Sequence, residues 1–298
     1  MDDQQDFSNN RSAGAEAPVF RFKEIVGDAF SCFGNNFVLV LLLVLSVTLP
    51  MALIQVFVVN RSFSMSGIND LLAAAGQSTA SEEEVASLLS SAGSKLLLYL
   101  GISTLISSVS LICESGMIIL VGRHNGIIGS ENGGKMTFGM LFESALRSFP
   151  KLWLTMLFVH FSVFCGLMLC FIPGILVFYI FQFSQYSVEL TRLWGRKATF
   201  VSSLATRKFP RVAVICAVSS FALSHVLIPF SVSGLVSLVS LSGAGAVPLG
   251  IAEVLLTCVE QLMRLFEAAV FATVFARMLP VIDPVIDASG VRGSGGGK

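Results

Sequence analysis

The chain predicts an all-α membrane protein: six transmembrane helices, with three amphipathic helices lying at the cytoplasmic interface. Three observations predict it. Of 298 residues, 54% are hydrophobic and only 13% charged. A soluble domain averages about 25% charged, and so few charges do not cover a soluble surface of this size. The apolar residues gather in runs near the length of about 20 that crosses a bilayer as a helix. Lys and Arg lie almost wholly on one side of those runs.

Residues 1–19 are polar and partly acidic and read as a disordered tail, with no cleavable signal peptide behind them. The first span, Phe37–Val59, has no charge and acts as its own insertion signal. An external insertion, residues 61–93, is rich in Ser, Ala and Gly. Within it "SEEE", Ser81–Glu84, fits a capping box for a short helix over Glu82–Ser90, with a partly ordered loop as the other reading. The second span is Ser94–Val121 and the third Leu152–Phe171. Gly174–Val188 is the fourth, short unless it continues to Leu193, with Pro173–Gly174 as a tight external turn. Val212–Val239, kinked at Pro229, is the fifth. Pro248–Leu279 is the sixth. The membrane domain thus covers residues 20–280, and residues 281–298 read as a flexible tail.

Sixteen of the 19 Lys and Arg fall on the side of the two termini, against Arg61 and Lys95 on the other. Arg264 lies inside a span. The positive-inside rule places both termini in the cytoplasm, and an even number of spans agrees. The net charge is zero, which implies no nucleic-acid partner. The implied partner is the bilayer. The six cysteines are scattered through or beside spans and suggest no disulfide framework.

Three segments share a pattern: Phe22–Phe33 before Gly34, Phe138–Phe149 before Pro150, and Ala198–Phe209 before Pro210. Aligned, they superpose Ala29, Ala145 and Ala205, and also Phe33, Phe149 and Phe209. The apolar positions recur with helical period on one face. Gly or Pro then breaks the helix and turns the chain into the bilayer. Ser202 and Thr206 interrupt the stripe of the third copy. The unit is an interfacial helix plus two spans, used three times. The second span of each unit also carries a polar group: Glu114 in the first, Glu267 in the third, and Gln182 about where the acid would stand in the second.

The sixth span holds the sharpest polar feature. Glu253, Glu260, Arg264 and Glu267 are seven, four and three residues apart, which puts them within roughly 60° of one another on a helix. A charge at a span centre costs on the order of 2.5–3.5 kcal/mol, so the stripe turns toward other helices or water. Arg264 is one turn from both Glu260 and Glu267. Ala268, Ala272 and Ala276 form a small-residue seam beside it. Glu114 either meets Arg264 or titrates alone. Glu114, Glu260, Arg264 and Glu267 are the candidate intramembrane polar cluster. It reads either as a proton or ion path, or as a paired lock that holds the bundle. Glu189 is expected to snorkel toward the inner face or to pair with Arg192.

A second candidate is the basic loop Arg192–Arg211. Its Arg192, Arg196, Lys197, Arg207, Lys208 and Arg211 lie beside an amphipathic helix and Trp194, where they fit anionic lipid head groups. No catalytic, metal or cofactor site is expected. His124, His160 and His225 share no ligand spacing, and there is no HExxH, P-loop or G-x-S-x-G elbow.

The stretch Phe171–Ile215 resembles the membrane domain fused to some bacterial glycerophosphodiester phosphodiesterases, and its stand-alone six-helix relatives. Pro173, Gly174, Glu189, Gly195, Ala205 and Arg207 carry the resemblance, which extends over about residues 20–280. It implies a six-span bundle of a bacterial inner membrane. The phosphodiesterase's catalytic barrel is absent, so its activity is not implied. The first functional expectation is a non-enzymatic accessory or membrane-organising protein that interacts with lipid, a protein partner or a second copy of itself. The alternative is a secondary transporter or channel that uses the charged stripe.

Overall fold

An apolar chain must satisfy its backbone locally, because lipid offers no hydrogen-bond partner. The computed structural model describes residues 20–59, 101–106, 108–129, 136–227 and 246–291, with isolated positions at 93, 98–99, 230, 234 and 237. Among these residues all regular structure is helical. The helices are α1 (Phe22–Asn35), α2 (Phe37–Leu53, extended by a π-helical turn Ile54–Val59), α3 (Leu111–His124), α4 (Phe138–Leu169), α5 (Phe171–Phe181), α6 (Ser184–Thr191), α7 (Arg196–Lys208), α8 (Pro210–Ala222, extended by a π-helical turn Leu223–Leu227) and α9 (Ala246–Ala288). The external insertion with its capping box, Pro229, and both terminal tails up to residue 19 and from residue 292 lie outside the described residues.

Among the described residues five helical stretches are long and apolar enough to cross a membrane: Phe37–Val59, Gly101–His124, Phe138–Leu169, Phe171–Thr191 and Gly250–Ala288. Pro210–Ala222 is apolar but short, and most of the expected fifth span beyond Leu227 lies outside the described residues. Met168, Leu169, Phe171 and Ile172 are each at least 70% exposed. A contiguous apolar surface of that kind needs a nonpolar surround. The composition and the helices together make this a multi-pass membrane protein.

The chain forms two compact units. One takes Met1–Leu43, Leu111–Phe230 and Leu262–Lys298, the other Val44–Ser110 and Ser231–Gln261. In the second unit the Gln55 side-chain amide donates to Ser103 at 3.2 Å. There, Gly250 leaves room for the Phe57 ring, which a Cβ at residue 250 would meet at 3.0 Å.

The remaining observations concern the first unit. The three aligned segments bury the same positions: Ile25, Leu141 and Val201, then Ala29, Ala145 and Ala205. An i, i+4 pair of buried residues is the inner stripe of an amphipathic helix. Phe22 and Phe30 of α1 and Leu146 of α4 stay exposed. α1 docks on α9: Phe266 meets Phe30 and Phe33 edge-on, at 6.2 and 5.8 Å between ring centres. Arg277 adds an ion pair to Asp28 and stands 3.7 Å from Glu24.

Three boundaries differ from expectation. Pro150 does not end a helix, since α4 runs unbroken through it for 32 residues, roughly 48 Å at 1.5 Å per residue. One lost hydrogen bond does not end a helix whose buried stripe (Leu141, Ala145, Leu152, Val159) continues on both sides. The turn between the third and fourth candidate spans is not at Pro173–Gly174 but at Cys170, which is extended at φ −173°, ψ 150°. Pro173 falls in the first turn of α5, where its missing N–H would have had no partner. Finally, residues 281–288 belong to α9. Ile282 and Ile286 are fully buried and prolong the stripe from Leu279, while Gly290, at φ +69°, closes the helix.

Burial also sets a reactivity. The Cys32 thiol is pushed up from 9.0 to about 11 by burial, with the Asn36 hydrogen bond pulling the other way. The thiolate is the nucleophile, so Cys32 is expected to resist maleimide near neutral pH in the folded protein. Modification should rise only as pH approaches about 11. Because the unfolded thiol ionises first, its ionisation lowers stability as pH climbs above 9.0. Mass spectrometry of folded and denatured samples checks the labelling; rapid modification of Cys32 in the folded state would contradict this burial.

Candidate functional site

The site begins with a broken helix. α5 ends at Phe181 and α6 starts at Ser184, leaving Gln182 and Phe183 as a turn inside the fourth candidate span. Such a break frees backbone groups that need partners. Helix α7 supplies them. Ser202 Oγ donates to the Ile180 carbonyl at 2.8 Å and accepts from the Phe183 amide at 3.1 Å. Thr206 Oγ1 reaches the same carbonyl at 3.4 Å. Ser202 and Thr206 are therefore not gaps in an apolar stripe. They are buried, at 0% and 3% exposure, and hold the break. The Gln182 amide reaches across to the Ala213 carbonyl at 2.9 Å.

A cavity of about 250 Å³ opens beside the break. Its polar lining includes Glu114, Gln182, Gln185, Ser220, Arg264 and Glu267. Glu114, Gln182 and Glu267, the three polar positions that the sequence pattern sets in correspondence, all line it. Ser220 Oγ donates to Glu267 Oε1 at 2.7 Å. Phe183 and Tyr186 wall the cavity. They are fixed from behind by Phe275, stacked 5.8 Å from Phe183, while Tyr186 sits 6.5 Å from Phe271. The small-residue seam, Ala268, Ala272 and Ala276, is buried as expected, at 3%, 0% and 6% exposure.

Of the candidate cluster, Glu114, Arg264 and Glu267 thus share one cavity. Glu260, half-buried, belongs to the other compact unit. Spacing alone does not find Gln185, Tyr186 or Ser220. They carry no charge, and only the break and the packing of α8 bring them to the cavity.

Glu189 corrects a second expectation. It does not snorkel; it is 6% exposed. Its carboxylate accepts from Ser115 Oγ at 2.7 Å, and Ser115 is in turn 2.8 Å from Ser148 Oγ. A hydroxyl chain from α3 and α4 offers a buried carboxylate the bonds that water would otherwise make.

The basic loop is open. Arg192, Arg196, Lys197, Arg207, Lys208 and Arg211 are all exposed, as is Trp194. Gly195, at φ 60°, ψ −133°, adopts a conformation all but reserved for glycine, and its amide donates to Thr155 Oγ1 at 2.8 Å. The loop is thus pinned to α4 with its cations outward. Among the described residues no group of three His, Cys, Asp or Glu is placed to hold a metal ion.

A scan against protein-family models found no match, and searches of curated proteins and of solved structures returned none either.

Proposed function

We propose that the chain is a membrane transport protein, a secondary transporter or channel for a proton or small cation, and that the cavity beside the broken helix is its binding site. The cavity carries this reading: a polar chamber, lined by Glu114, Gln182, Arg264 and Glu267, within helices otherwise apolar. Interrupted helices at mid-span characteristically form solute sites, because irregular backbone is tolerated only where it is held by protein or lines a cavity. Its volume of about 250 Å³ falls below the 300–1,000 Å³ of sites for drug-sized ligands, which favours an ion with a few waters. Among the lining side chains two carboxylates face one guanidinium. A carboxylate away from water is expensive unless its charge is balanced, and a proton or a monovalent cation balances it.

The finer architecture belongs to the same proposal. Six spans arise from three units of an amphipathic helix and two spans, in a bacterial inner membrane with both termini cytoplasmic. Shared burial at the aligned alanines and convergence of the three polar positions support the repeat. The charge asymmetry supports the orientation. The resemblance to the phosphodiesterase-associated membrane domain stays part of this reading. The accessory, lipid-organising function ranks second; the open basic loop, suited to anionic head groups, favours it.

The test is proton and small-cation flux into proteoliposomes. The parent chain is expected to conduct or exchange, and Glu114→Gln and Glu267→Gln to abolish flux with the folded fraction unchanged. A parent silent for protons, sodium and potassium, or variants that lose only stability, would sink the transport reading in favour of a structural lock.

A further inference from the structure

A second cavity, of about 470 Å³, lies apart from the first. Four cations line it: Arg123 from α3, Arg147 and Lys151 from α4, and Arg192 at the end of α6. Its acids are Glu143 and Glu189. Both acids are already engaged, Glu143 by Arg147 at 2.8 Å and Glu189 by Ser115 at 2.7 Å. Ser144 and Ser148 add hydroxyls to the wall. Among these lining side chains, positive charge exceeds negative by two, four cations against two acids.

The backbone at Arg192 is a separate observation. It has φ 59°, ψ 14°, the single left-handed non-glycine among the described residues. Glycine is the usual residue where a helix ends this way, because it has no Cβ to clash. An arginine held there gives up backbone ease and gains a guanidinium at the cavity. Strain of this kind concentrates at ligand-binding sites.

We infer that this cavity binds a phosphate group, a monoester dianion carried by a lipid head group or by a soluble phosphate compound. Guanidinium forks match phosphate oxygens in pairs, the Ser144 hydroxyl supplies a further donor, and the dianion cancels the excess of two. The volume admits a head group larger than a bare ion. The site is distinct from the open basic loop, sharing only Arg192 with it.

The full chain is purified in neutral detergent. It is titrated with inorganic phosphate by calorimetry and, in nanodiscs, with spin-labelled phosphatidic acid against a phosphatidylcholine background. Arg192→Gly and Lys151→Gln are each expected to weaken binding about tenfold. Arg196→Gln, in the neighbouring loop but off the cavity, should leave it unchanged. Arg192→Gly relieves the left-handed strain, so its melting temperature should hold or rise while affinity falls, which separates a binding role from a folding one. Competition between phosphate and the labelled lipid supports the shared phosphate site. Lipid binding that phosphate does not displace assigns a head group held together with its chains. Binding of phosphate alone assigns a soluble ligand. Binding of neither, or binding equal in the parent, Arg192→Gly and Lys151→Gln, overturns the inference.

Discussion

Ser202→Ala is expected to destabilise the protein by about 2–4 kcal/mol, far more than its size suggests. A side-chain hydrogen bond between membrane helices averages about 0.6 kcal/mol. Ser202 does more than bridge two helices. It satisfies the Ile180 carbonyl and the Phe183 amide together, and leaving a buried backbone group unpaired costs about 1–3 kcal/mol. Thr206 still reaches the carbonyl at 3.4 Å, which keeps the loss below two full groups. Ser203 is the control. It sits on the same helix, is only half-buried, and bonds its own Phe200 carbonyl. Ser203→Ala should stay within about 0.5 kcal/mol of the parent. Denaturant titration in mixed micelles measures both. Equal losses for the two variants would mean that the break is held by the backbone of α5 and α6 rather than by Ser202. The break also positions Gln182 and Phe183 on the cavity wall, so Ser202→Ala should lower flux along with stability.

The membrane class and most spans are legible in the sequence because hydropathy is a sum over many residues and survives errors at any one. The Phe37–Val59 stretch has the expected ends. Boundaries are less legible because they depend on single residues read against context. Pro150 breaks helices in general, yet a stripe buried on both sides carries α4 through it. Pro173–Gly174 spells a turn, but the turn moves back to Cys170, since a glycine pair at 166 and 174 lets α4 and α5 cross closely. The charged stripe is legible as polar residues of one helix. Its use is not, because a cavity is made by what faces it. Glu114 and Gln182 join Glu267 across different helices, and only their matching places in the aligned units hint at it. Ser202 and Thr206 show the reverse error. As a pattern they are defects in an apolar face, and in three dimensions they are the partners of a broken span.

Gly166→Ala is expected to cost about 2–3 kcal/mol, the upper part of the range for forcing atoms into a filled space. A Cβ at residue 166 would stand 2.9 Å from the Gly174 Cα and 3.0 Å from its amide nitrogen. These are backbone atoms, so no rotamer change relieves the clash, and α4 and α5 must separate. Gly174→Ala meets the Leu167 side chain, which can turn away, and the Leu167 amide nitrogen at 2.8 Å, which cannot. The double variant should cost less than the sum, since both methyls press into one gap. Gly27→Ala reverses the sign: the residue is exposed in the middle of α1, with nothing within 4 Å of a new Cβ, and should gain about 0.5–1 kcal/mol from helix propensity. The consequence extends to the cavity, because this hairpin brings Met156 and His160 of α4 and Phe178 and Phe181 of α5 to its wall. Denaturation in mixed micelles gives the stabilities. Gly166→Ala as stable as the parent would mean that the two helices are not held at this distance, and that this wall of the cavity is free to move.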